Sequence, residues 1–322
     1  MKILFITHTR LGDATLSSCI LNHLHQAYPD ARFTIAVGPV AAQLFEDTPN
    51  LDQLIIVKKE KYNAHWFKLW SKCLFQRWDI VIDCRGSAIG WALWAKQRFC
   101  RYAPNTKHIH RVERYAGLLK LDTPSLPKVF VGPSHRAKTA ILLPKGKTVI
   151  AIGPAANWTA KTWRAEYFID LITQLRDVNG PFPDAYIALI AAPQEREQVQ
   201  SVIDAIPNDR FIDLIGTQHL LTVAACLQHC KLFIGNDSGL MHMAAAVGTP
   251  TIGLFGPTHQ EKYGPYGPHC CVVSTPETPE QLMDFPEYNH LTCGTLMDSI
   301  GVDDVMKRVN THLTLKHPER ID

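Results

Sequence analysis

The sequence has no long hydrophobic run, no cysteine pattern typical of a disulfide framework and little excess of either charge. No stretch approaches the roughly 18 uninterrupted apolar residues of a membrane-spanning helix, and the apolar run at 3–6 ends too early for a secretory signal peptide. The nine cysteines show no disulfide-like spacing, which suits reduced thiols in a cytoplasm. A net charge of +3 with 46% hydrophobic residues argues against disorder and coiled coil. We therefore expect a cytoplasmic globular protein, and 322 residues suffice for about two domains.

Motifs of several enzyme classes are also missing. Neither half of the chain has G-x-G-x-x-G after its first predicted strand, at 7–13 and 153–157, so a dinucleotide oxidoreductase is disfavoured. The absence of a G-x-S-x-G elbow argues against a serine hydrolase. No D-x-D pair lies near these loops, and His23-x-His25 and Cys226-x-x-His229-Cys230 lack a convincing second pair of metal ligands. We expect no required metal, with a divalent cation held loosely by a bound diphosphate as the alternative.

Positive charge and large aromatic residues are concentrated in one window of the first half. Between Lys58 and Arg114 there are 13 lysines and arginines against 4 acidic residues, a local charge of +9 that leaves −6 for the rest of the chain. The same window holds five of the seven tryptophans, which are Trp66, Trp70, Trp78, Trp91 and Trp94. This combination is typical of surfaces that bind nucleic acid or a membrane interface. The alternative is that the tryptophans at helical spacing are core residues and the charges form a solvated face.

Short β-branched runs alternate with stretches of helical period along the whole chain. Strands are predicted at 2–7, 32–37, 53–57, 79–83, 148–153, 185–191, 210–214, 231–235 and 250–255. Helices are predicted near 13–28, 40–46, 65–76, 88–97, 165–178, 195–206, 219–229 and 239–247. The alternation predicts an α/β protein with two doubly wound domains whose strands end toward a shared cleft. The proline-rich stretch 121–147 marks the boundary, which gives domains 1–147 and 148–322.

The segment 233–250 predicts an anion-binding turn in the second domain. A strand leads into Asn236-Asp237-Ser238-Gly239, and a short helix follows until Gly248 and Pro250 end it. The turn aims backbone N–H groups and the positive end of the helix dipole at the cleft, which suits a diphosphate. His242 falls on the first turn of this helix. The alternative is that Asp237 and Ser238 only cap the helix and that His242 is a core histidine.

A second turn of small residues follows the next predicted strand. The strand at 250–255 ends in Gly256-Pro257-Thr258, which offers a hydroxyl at the same edge of the sheet. Two adjacent turns rich in glycine, serine and threonine favour a nucleotide diphosphate more than either turn alone.

These motifs resemble the signature of the ADP-heptose lipopolysaccharide heptosyltransferase family. The resemblance extends over nearly the whole chain. In the second domain it rests on three motifs, which are Lys161-x-Trp163, Asp237-Ser238-Gly239-x-x-His242 followed by Pro250, and Leu254-Phe255-Gly256-x-Thr258. In the first domain it rests on the segment 3–16, which contains Gly12-Asp13, and on the segments 79–87 and 110–115. It implies the GT-B architecture of two Rossmann-like domains that face a central cleft, and a reaction that inverts the anomeric configuration of the sugar. It also implies that the first domain binds the acceptor and the second the nucleotide sugar, with the last helix a candidate to pack back on the first domain.

The resemblance implies a role for each matching residue. Asp13 would be the general base that an inverting transfer requires; its alternative role is an N-cap beside Gly12. Lys161 would neutralise the leaving diphosphate, although without the family it would be an ordinary surface lysine beside a packed Trp163. Glu195, with Glu197 as a rival, would accept hydrogen bonds from ribose hydroxyls. The donor-binding set is Gly12, Lys161, Glu195, Asp237, Ser238, Gly239, His242, Gly256 and Thr258.

The implied substrates are an ADP-sugar donor and an anionic, lipid-linked oligosaccharide acceptor of the lipopolysaccharide inner core. The candidate acceptor-binding residues are Arg85, Arg98, Arg101, Arg111 and Arg114. The predicted helix 65–76 could rest on an anionic membrane surface, so we expect a cytoplasmic protein at the inner membrane that binds no nucleic acid. The alternatives are another nucleotide sugar or acceptor, a catalytically silent sugar-nucleotide-binding protein, and a nucleic-acid binder built on the basic window.

Overall fold

The computed structural model of the protein describes residues 1–102, 109–216, 218–286, 288–289 and 292–314. The chain divides into two compact units, and the division falls between Gly132 and Pro133. Each unit is built on one sheet of parallel strands covered by helices. Within the described residues no helix has the length and apolar composition needed to cross a bilayer.

The first unit contains a five-stranded parallel sheet. Its strands are β1 (Lys2–Ile6), β2 (Arg32–Val37), β3 (Leu51–Ile56), β4 (Trp78–Asp83) and β5 (Ala95–Phe99), in the order β3-β2-β1-β4-β5. Its helices are α1 (Leu11–Ala27), α2 (Ala64–Cys73) and α3 (Arg111–Leu118), with 3-10 helices at Pro39–Phe45, Lys61–Asn63 and Ile89–Trp91. The central β1 is buried on both faces from Ile3 to Ile6, which explains its uninterrupted apolar sequence.

The second unit contains a six-stranded parallel sheet. Its strands are β6 (Val149–Gly153), β7 (Tyr186–Leu189), β8 (Phe211–Asp213), β9 (Leu232–Asn236), β10 (Thr251–Phe255) and β11 (Cys270–Ser274), in the order β11-β10-β9-β6-β7-β8. Its helices are α4 (Pro133–Leu142), α5 (Ala165–Arg176), α6 (Gln200–Asp204), α7 (Leu220–His229), α8 (Gly239–Ala246), α9 (Gln260–Tyr263), α10 (Pro279–Met283) and α11 (Val302–Thr314). Both sheets confirm the predicted α/β class with two doubly wound units.

The division lies within the predicted proline-rich stretch but before α4, where the sequence put the boundary after it. Gly132 still belongs to the first unit, because its amide donates to Asp47 Oδ2 at 2.7 Å. The helix α4 packs against α7 of the second unit, and His135 Nδ1 lies 2.8 Å from Thr222 Oγ1. The last described helix, α11, packs against α5 and β11 of its own unit.

The predicted helix at 88–97 is wrong. Only Ile89–Trp91 forms a 3-10 turn, and β5 then pairs with β4, with Trp78 opposite Ala95 and Ile82 opposite Phe99. The helical spacing of Trp91 and Trp94 does not mark a core either, because these side chains are 61% and 64% exposed. The segment forms a strand because its backbone pairs with the open edge of β4, and this pairing outweighs the helical spacing of the tryptophans.

Other predicted helices differ in type or extent. The segment predicted at 40–46 is the 3-10 helix Pro39–Phe45, and the segment predicted at 195–206 has two short 3-10 turns before α6. The predictions did not include the edge strand β11 or the helix α4. No range was predicted for the helices α3, α9, α10 and α11 either. Each of the other predicted helices and strands lies within a few residues of its predicted position.

In each unit the strand order reverses between two neighbouring strands that end side by side. Ile6 at the end of β1 is paired with Asp83 at the end of β4. Gly153 at the end of β6 is paired with Gly235 near the end of β9. The crevice outside such a reversal is where open α/β sheets bind ligands. The loops and helix starts that follow these four strands carry Gly12, Asp13, Arg85, Lys161 and the segment 237–242.

Candidate active site

Asp237 lies between two potential cations just after β9 in the second unit. Its Oδ2 accepts a hydrogen bond from Lys161 Nζ at 3.2 Å, and its Oδ1 lies 3.8 Å from His242 Nε2. The Lys161 and Asp237 side chains are only 13% and 9% exposed. At this burial Lys161 is not the solvated surface lysine of the alternative interpretation. The three side chains, which were predicted from two separate motifs, therefore form one cluster.

Asn236 holds the Lys161 segment beside the end of β9. Its side chain is fully buried, where Oδ1 accepts from Trp163 N at 3.1 Å and Nδ2 donates to Pro154 O at 2.8 Å. Trp163 is buried as well, and its Nε1 donates to Ile300 O at 2.9 Å. One amide thus ties both ends of the loop after β6 to β9, which fixes the loop that carries Lys161.

The start of α8 lies beside this cluster. Ser238 has an extended backbone and its Oγ accepts from Met241 N at 3.3 Å, so it is the N-cap, and Gly239 is the first helical residue. This confirms the helix start predicted near 238. The first amides of a helix have no partner within the helix and carry its positive end. A phosphate placed there would meet these amides and the Lys161 ammonium together.

A cavity of about 470 Å³ lies beside the loops after β6 and β7. Its lining residues are Ala156, Asn157, Thr159, Gln194, Glu195 and Gln198. Glu195 therefore faces open space, although its Oε2 also accepts from Ala192 N at 2.8 Å. The rival Glu197 is exposed and is not part of this lining. The cavity is large enough for part of a nucleotide and contains the carboxylate predicted to meet a ribose.

The two residues predicted after β10 have different surroundings. Gly256 is buried, and a Cβ atom there would lie 2.5 Å from Met297 Sδ, so its lack of a side chain serves packing. Thr258 Oγ1 is buried and has no hydrogen-bond partner among the residues that the structure describes. A buried hydroxyl of this kind is available for a ligand.

In the first unit, Asp13 occupies the third position of α1. The N-cap is Arg10 and the helix begins at Leu11, so Gly12 and Asp13 both lie inside the first turn. The alternative of Asp13 as an N-cap is therefore wrong. Its Oδ1 lies 3.8 Å from Arg111 Nη2, and the two side chains are only 22% and 26% exposed. Packing of α1 against α3 brings this pair together.

His8 was not singled out by the sequence, although it lies in the short loop between β1 and the start of α1. Its Nε2 is 2.9 Å from Tyr115 Oη. The pKa of His8 is lowered to about 4, with burial as the largest cause; the charge of Asp13 raises it, and the charges of Arg111, Arg85 and Arg114 lower it. The imidazole is therefore neutral at pH 7. The only signal in the sequence was its place directly after β1.

The five predicted acceptor-binding arginines are only partly brought together. Arg85, Arg111 and Arg114 all lie close enough to influence the charge of His8. The Arg98 guanidinium instead donates to two carbonyls of its own segment, Leu93 O at 2.7 Å and Ala95 O at 3.0 Å. Arg101 is exposed beyond the end of β5.

Aromatic rings support two of the three arginines near His8. The Arg85 guanidinium lies 4.3 Å from the ring centre of Trp66, and that of Arg114 lies 4.4 Å from the ring centre of Tyr102. Stacking on a ring holds a guanidinium in place and leaves its edges available for anions. The first unit thus has a preformed group of cations beside Asp13.

Among the described residues, no three histidine, cysteine or acidic side chains are grouped so that they could hold a metal ion. All nine cysteines lie in the described part of the chain, and none of them forms a disulfide there. The candidate site therefore consists of carboxylates, cations and helix-end donors.

Known proteins resemble this chain along most of its length. A family model described as glycosyltransferase family 9 (heptosyltransferase) matches residues 67–288. Lipooligosaccharide heptosyltransferase 2 of Campylobacter jejuni is 26% identical, covering 83% of this chain and 84% of that protein. Lipopolysaccharide heptosyltransferase 1 of Salmonella typhimurium is 25% identical, covering 86% of this chain and 95% of that protein.

Solved structures share the fold. The family 9 glycosyltransferase of Veillonella parvula has a TM-score of 0.77 at 23% identity and covers 97% of each chain. The E. coli heptosyltransferase WaaC with ADP has a TM-score of 0.73 at 20% identity, covering 97% of this chain and 100% of that one. The predicted GT-B class, with two Rossmann-like units, is confirmed. By the match of the family model over most of its length, the chain belongs to glycosyltransferase family 9, the heptosyltransferases.

Proposed function

We propose that the protein transfers a heptose from ADP-heptose to an inner-core acceptor of lipopolysaccharide and inverts the anomeric configuration. One observation supports the binding of the sugar donor above all. Lys161, Asp237 and the start of α8 form a cluster at the strand-order reversal of the second unit. The names of the relatives from C. jejuni and S. typhimurium support the choice of sugar and acceptor.

The second unit is proposed to bind the nucleotide sugar. The diphosphate would contact the Lys161 ammonium and the amides at Ser238 and Gly239, and Glu195 would accept hydrogen bonds from the ribose. As the sugar leaves, negative charge grows on the diphosphate, and preorganised donors stabilise that charge most in the transition state. In this proposal Lys161 takes the part that a metal ion has in other transferases, so no metal is required.

Asp13 is proposed as the general base. It would take the proton from the acceptor hydroxyl as that oxygen attacks the anomeric carbon from the face opposite the diphosphate. Its carboxylate is not used to cap α1 and is only partly exposed, which supports this role.

The first unit is proposed to bind the acceptor, with Arg85, Arg111 and Arg114 as the main contacts to its anionic groups. Bidentate hydrogen bonds from arginine suit carboxylates and phosphates. Because such an acceptor is lipid-linked, we place the protein at the cytoplasmic face of the inner membrane. Nucleic acid is not part of this proposal.

The central test replaces Asp13 by Asn and measures transfer from ADP-heptose together with ADP binding. We expect turnover to fall by about a hundredfold or more, while the Kd for ADP stays within about twofold, because Asp13 is not among the proposed ADP contacts. Asp30→Asn is the matched control, since Asp30 is exposed on the same unit, and it should behave as the wild type.

Three outcomes would contradict the proposal. Full activity of Asp13→Asn would remove the base. Transfer from UDP- or GDP-sugars in place of ADP-heptose would remove the donor assignment. ADP binding without transfer to any inner-core acceptor would indicate a catalytically silent nucleotide-sugar-binding protein.

A further inference from the structure

Five large aromatic side chains are exposed on the first unit around α2. Two of them flank α2, one lies on it and two lie in the turn before β5, and we call them the aromatic face: Tyr62, Phe67, Phe75, Trp91 and Trp94. Tyr62 and Phe75 are 98% and 96% exposed. Single exposed aromatics are ordinary, but a cluster of this size marks an interaction surface.

Contacts connect α2 to the turn that follows β4. The rings of Phe67 and Trp70 are 5.6 Å apart, and Trp70 Nε1 donates to Ala92 O at 3.1 Å. Ala92 lies between the two exposed tryptophans, so the helix and the turn form one surface. The Arg77 guanidinium lies 5.6 Å from the ring centre of Trp94.

The fold does not need these side chains for its core. The inner side of α2 is formed by His65, Leu69 and Cys73, which are all buried. Phe67 lies between these positions in the sequence and is 68% exposed. The helix is therefore amphipathic in the usual sense, but its outer side carries a large aromatic residue where a polar one would suffice.

The surface around the aromatic face is strongly cationic. Two acidic residues lie within it, and both are paired, since Glu60 Oε1 is 2.7 Å from Lys68 Nζ and Asp79 Oδ1 is 2.6 Å from Lys96 Nζ. Seven cationic side chains are exposed there, which are Lys58, Lys59, Lys61, Lys68, Lys72, Arg77 and Lys96. Six of the seven are lysines.

We propose that the aromatic face and its lysines dock on the surface of an anionic lipid bilayer. Aromatic side chains partition into the interface between headgroups and acyl chains, while lysines reach anionic headgroups with their apolar stems lying along the bilayer. The charge of this surface is complementary to anionic lipid. Interfaces between proteins are depleted in lysine, which disfavours a protein partner. The proposal rests on the proposed function, because a lipid-linked acceptor must be met at a membrane.

The first test measures co-sedimentation of the full chain with vesicles of phosphatidylcholine and phosphatidylglycerol. The variant Tyr62→Ser/Phe67→Ser/Phe75→Ser should bind these vesicles at least about tenfold more weakly, because three aromatic groups no longer enter the interface. The matched control is Ile141→Ser/Val178→Ser, which removes apolar side chains that are 85% and 82% exposed on the second unit. The control should bind as the wild type.

The second test separates charge from apolar insertion. Lys61→Ala/Lys72→Ala should weaken binding to the anionic vesicles by about thirtyfold and leave binding to vesicles of phosphatidylcholine alone unchanged. Lys138→Ala/Lys145→Ala, at exposed positions of the second unit, is the charge-matched control and should have no effect. An equal effect of both lysine pairs would overturn the assignment of the face.

The remaining outcomes show whether the aromatic face binds a bilayer, a second copy of the chain or RNA. They also separate the docking proposal from the proposed function. The docking proposal is overturned if the wild type does not bind the anionic vesicles, or if the aromatic variant loses self-association or binding of single-stranded RNA while vesicle binding persists. Asp13→Asn should still bind vesicles, and the aromatic variant should still transfer sugar to a water-soluble, delipidated acceptor. Loss of vesicle binding and loss of transfer can therefore occur separately, so one proposal can fail while the other stands.

Discussion

His8 keeps a neutral imidazole in a loop surrounded by charge. Its pKa is lowered to about 4, mainly by burial; three arginines act in the same direction and Asp13 acts in the opposite one. A neutral imidazole beside Asp13 adds no second cation to compete with Arg111, and Tyr115 Oη orients the ring from its Nε2 side. Protonation of His8 would therefore change the charge around Asp13, the proposed base, without changing the position of Asp13.

This lowered pKa predicts a loss of stability in acid. Between the unfolded pKa of 6.5 and the folded value of about 4, the unfolded chain binds more protons, so stability falls as the pH falls. From about pH 7 to about pH 4.5, His8 should cost the wild type about 2 kcal/mol of unfolding free energy. His8→Gln lacks this titration and should show a correspondingly flatter pH dependence in urea unfolding.

His25 serves as the control for this measurement. Burial also lowers its pKa, but it contributes equally to the wild type and to His8→Gln, so the difference between the two proteins isolates His8. Identical pH dependence in the two proteins would mean that His8 is protonated as easily in the folded chain as in the unfolded one.

Single residues differ in how far the sequence reveals them. Asp13, Lys161 and the segment from Asp237 to His242 are recognisable because they lie in motifs with fixed local spacing. Asn236 is not, since its partners Pro154 and Trp163 are about 80 positions away in the chain and only the fold brings them near. Resemblance to local motifs thus indicates the groups proposed to meet a ligand, while the groups that hold them in position require tertiary structure.

At the scale of elements, the contact between β9 and the loop after β6 decides where Lys161 lies. Replacing Asn236 by Ala leaves Trp163 N–H and Pro154 O buried without their partner. We expect the free energy of unfolding to fall by about 3 kcal/mol. We also expect the Kd for ADP to rise at least about tenfold, because the loop no longer holds the ammonium beside Asp237.

Calorimetric titration with ADP and with adenosine checks this prediction. Adenosine lacks the diphosphate, so its affinity should change much less than that of ADP. Asn179→Ala, at an exposed position of the same unit, is the control and should affect neither. A folded Asn236→Ala protein with unchanged ADP affinity would show that Lys161 is held by other contacts or does not bind the diphosphate.

Strands and helices were predicted best where the spacing of apolar residues in the sequence matches the burial of the element in the fold. The strand β1 is apolar throughout and buried on both faces, and its prediction was accurate. The strand β5 was missed because its sequence, Ala95–Phe99, is mostly polar and lies at the edge of the sheet. Trp91 and Trp94, which precede β5, have helical spacing but are not core residues. We assign both to the aromatic face.

At the scale of the whole molecule, charge is divided unevenly along the chain. The window 58–114, with its net charge of +9, lies within the first unit, whereas the rest of the chain carries −6. Most described cations of this window are exposed, and Arg111 among the proposed acceptor contacts is 26% exposed, while Lys161 in the second unit is 13% exposed. Salt screens exposed charges more strongly than buried ones. The two proposed substrates should therefore respond differently to ionic strength.

We expect KM for a water-soluble, anionic acceptor to rise at least about tenfold as sodium chloride increases from about 0.05 M to about 0.5 M. KM for ADP-heptose should rise by less than about threefold over the same range, since the groups proposed to hold its diphosphate are more deeply buried. Initial rates with each substrate varied in turn measure both values, and Arg85→Ala/Arg114→Ala should flatten the acceptor response specifically. If both KM values rise together, the acceptor is not bound by the arginines proposed for it in the first unit, and the division of substrates between the two units fails.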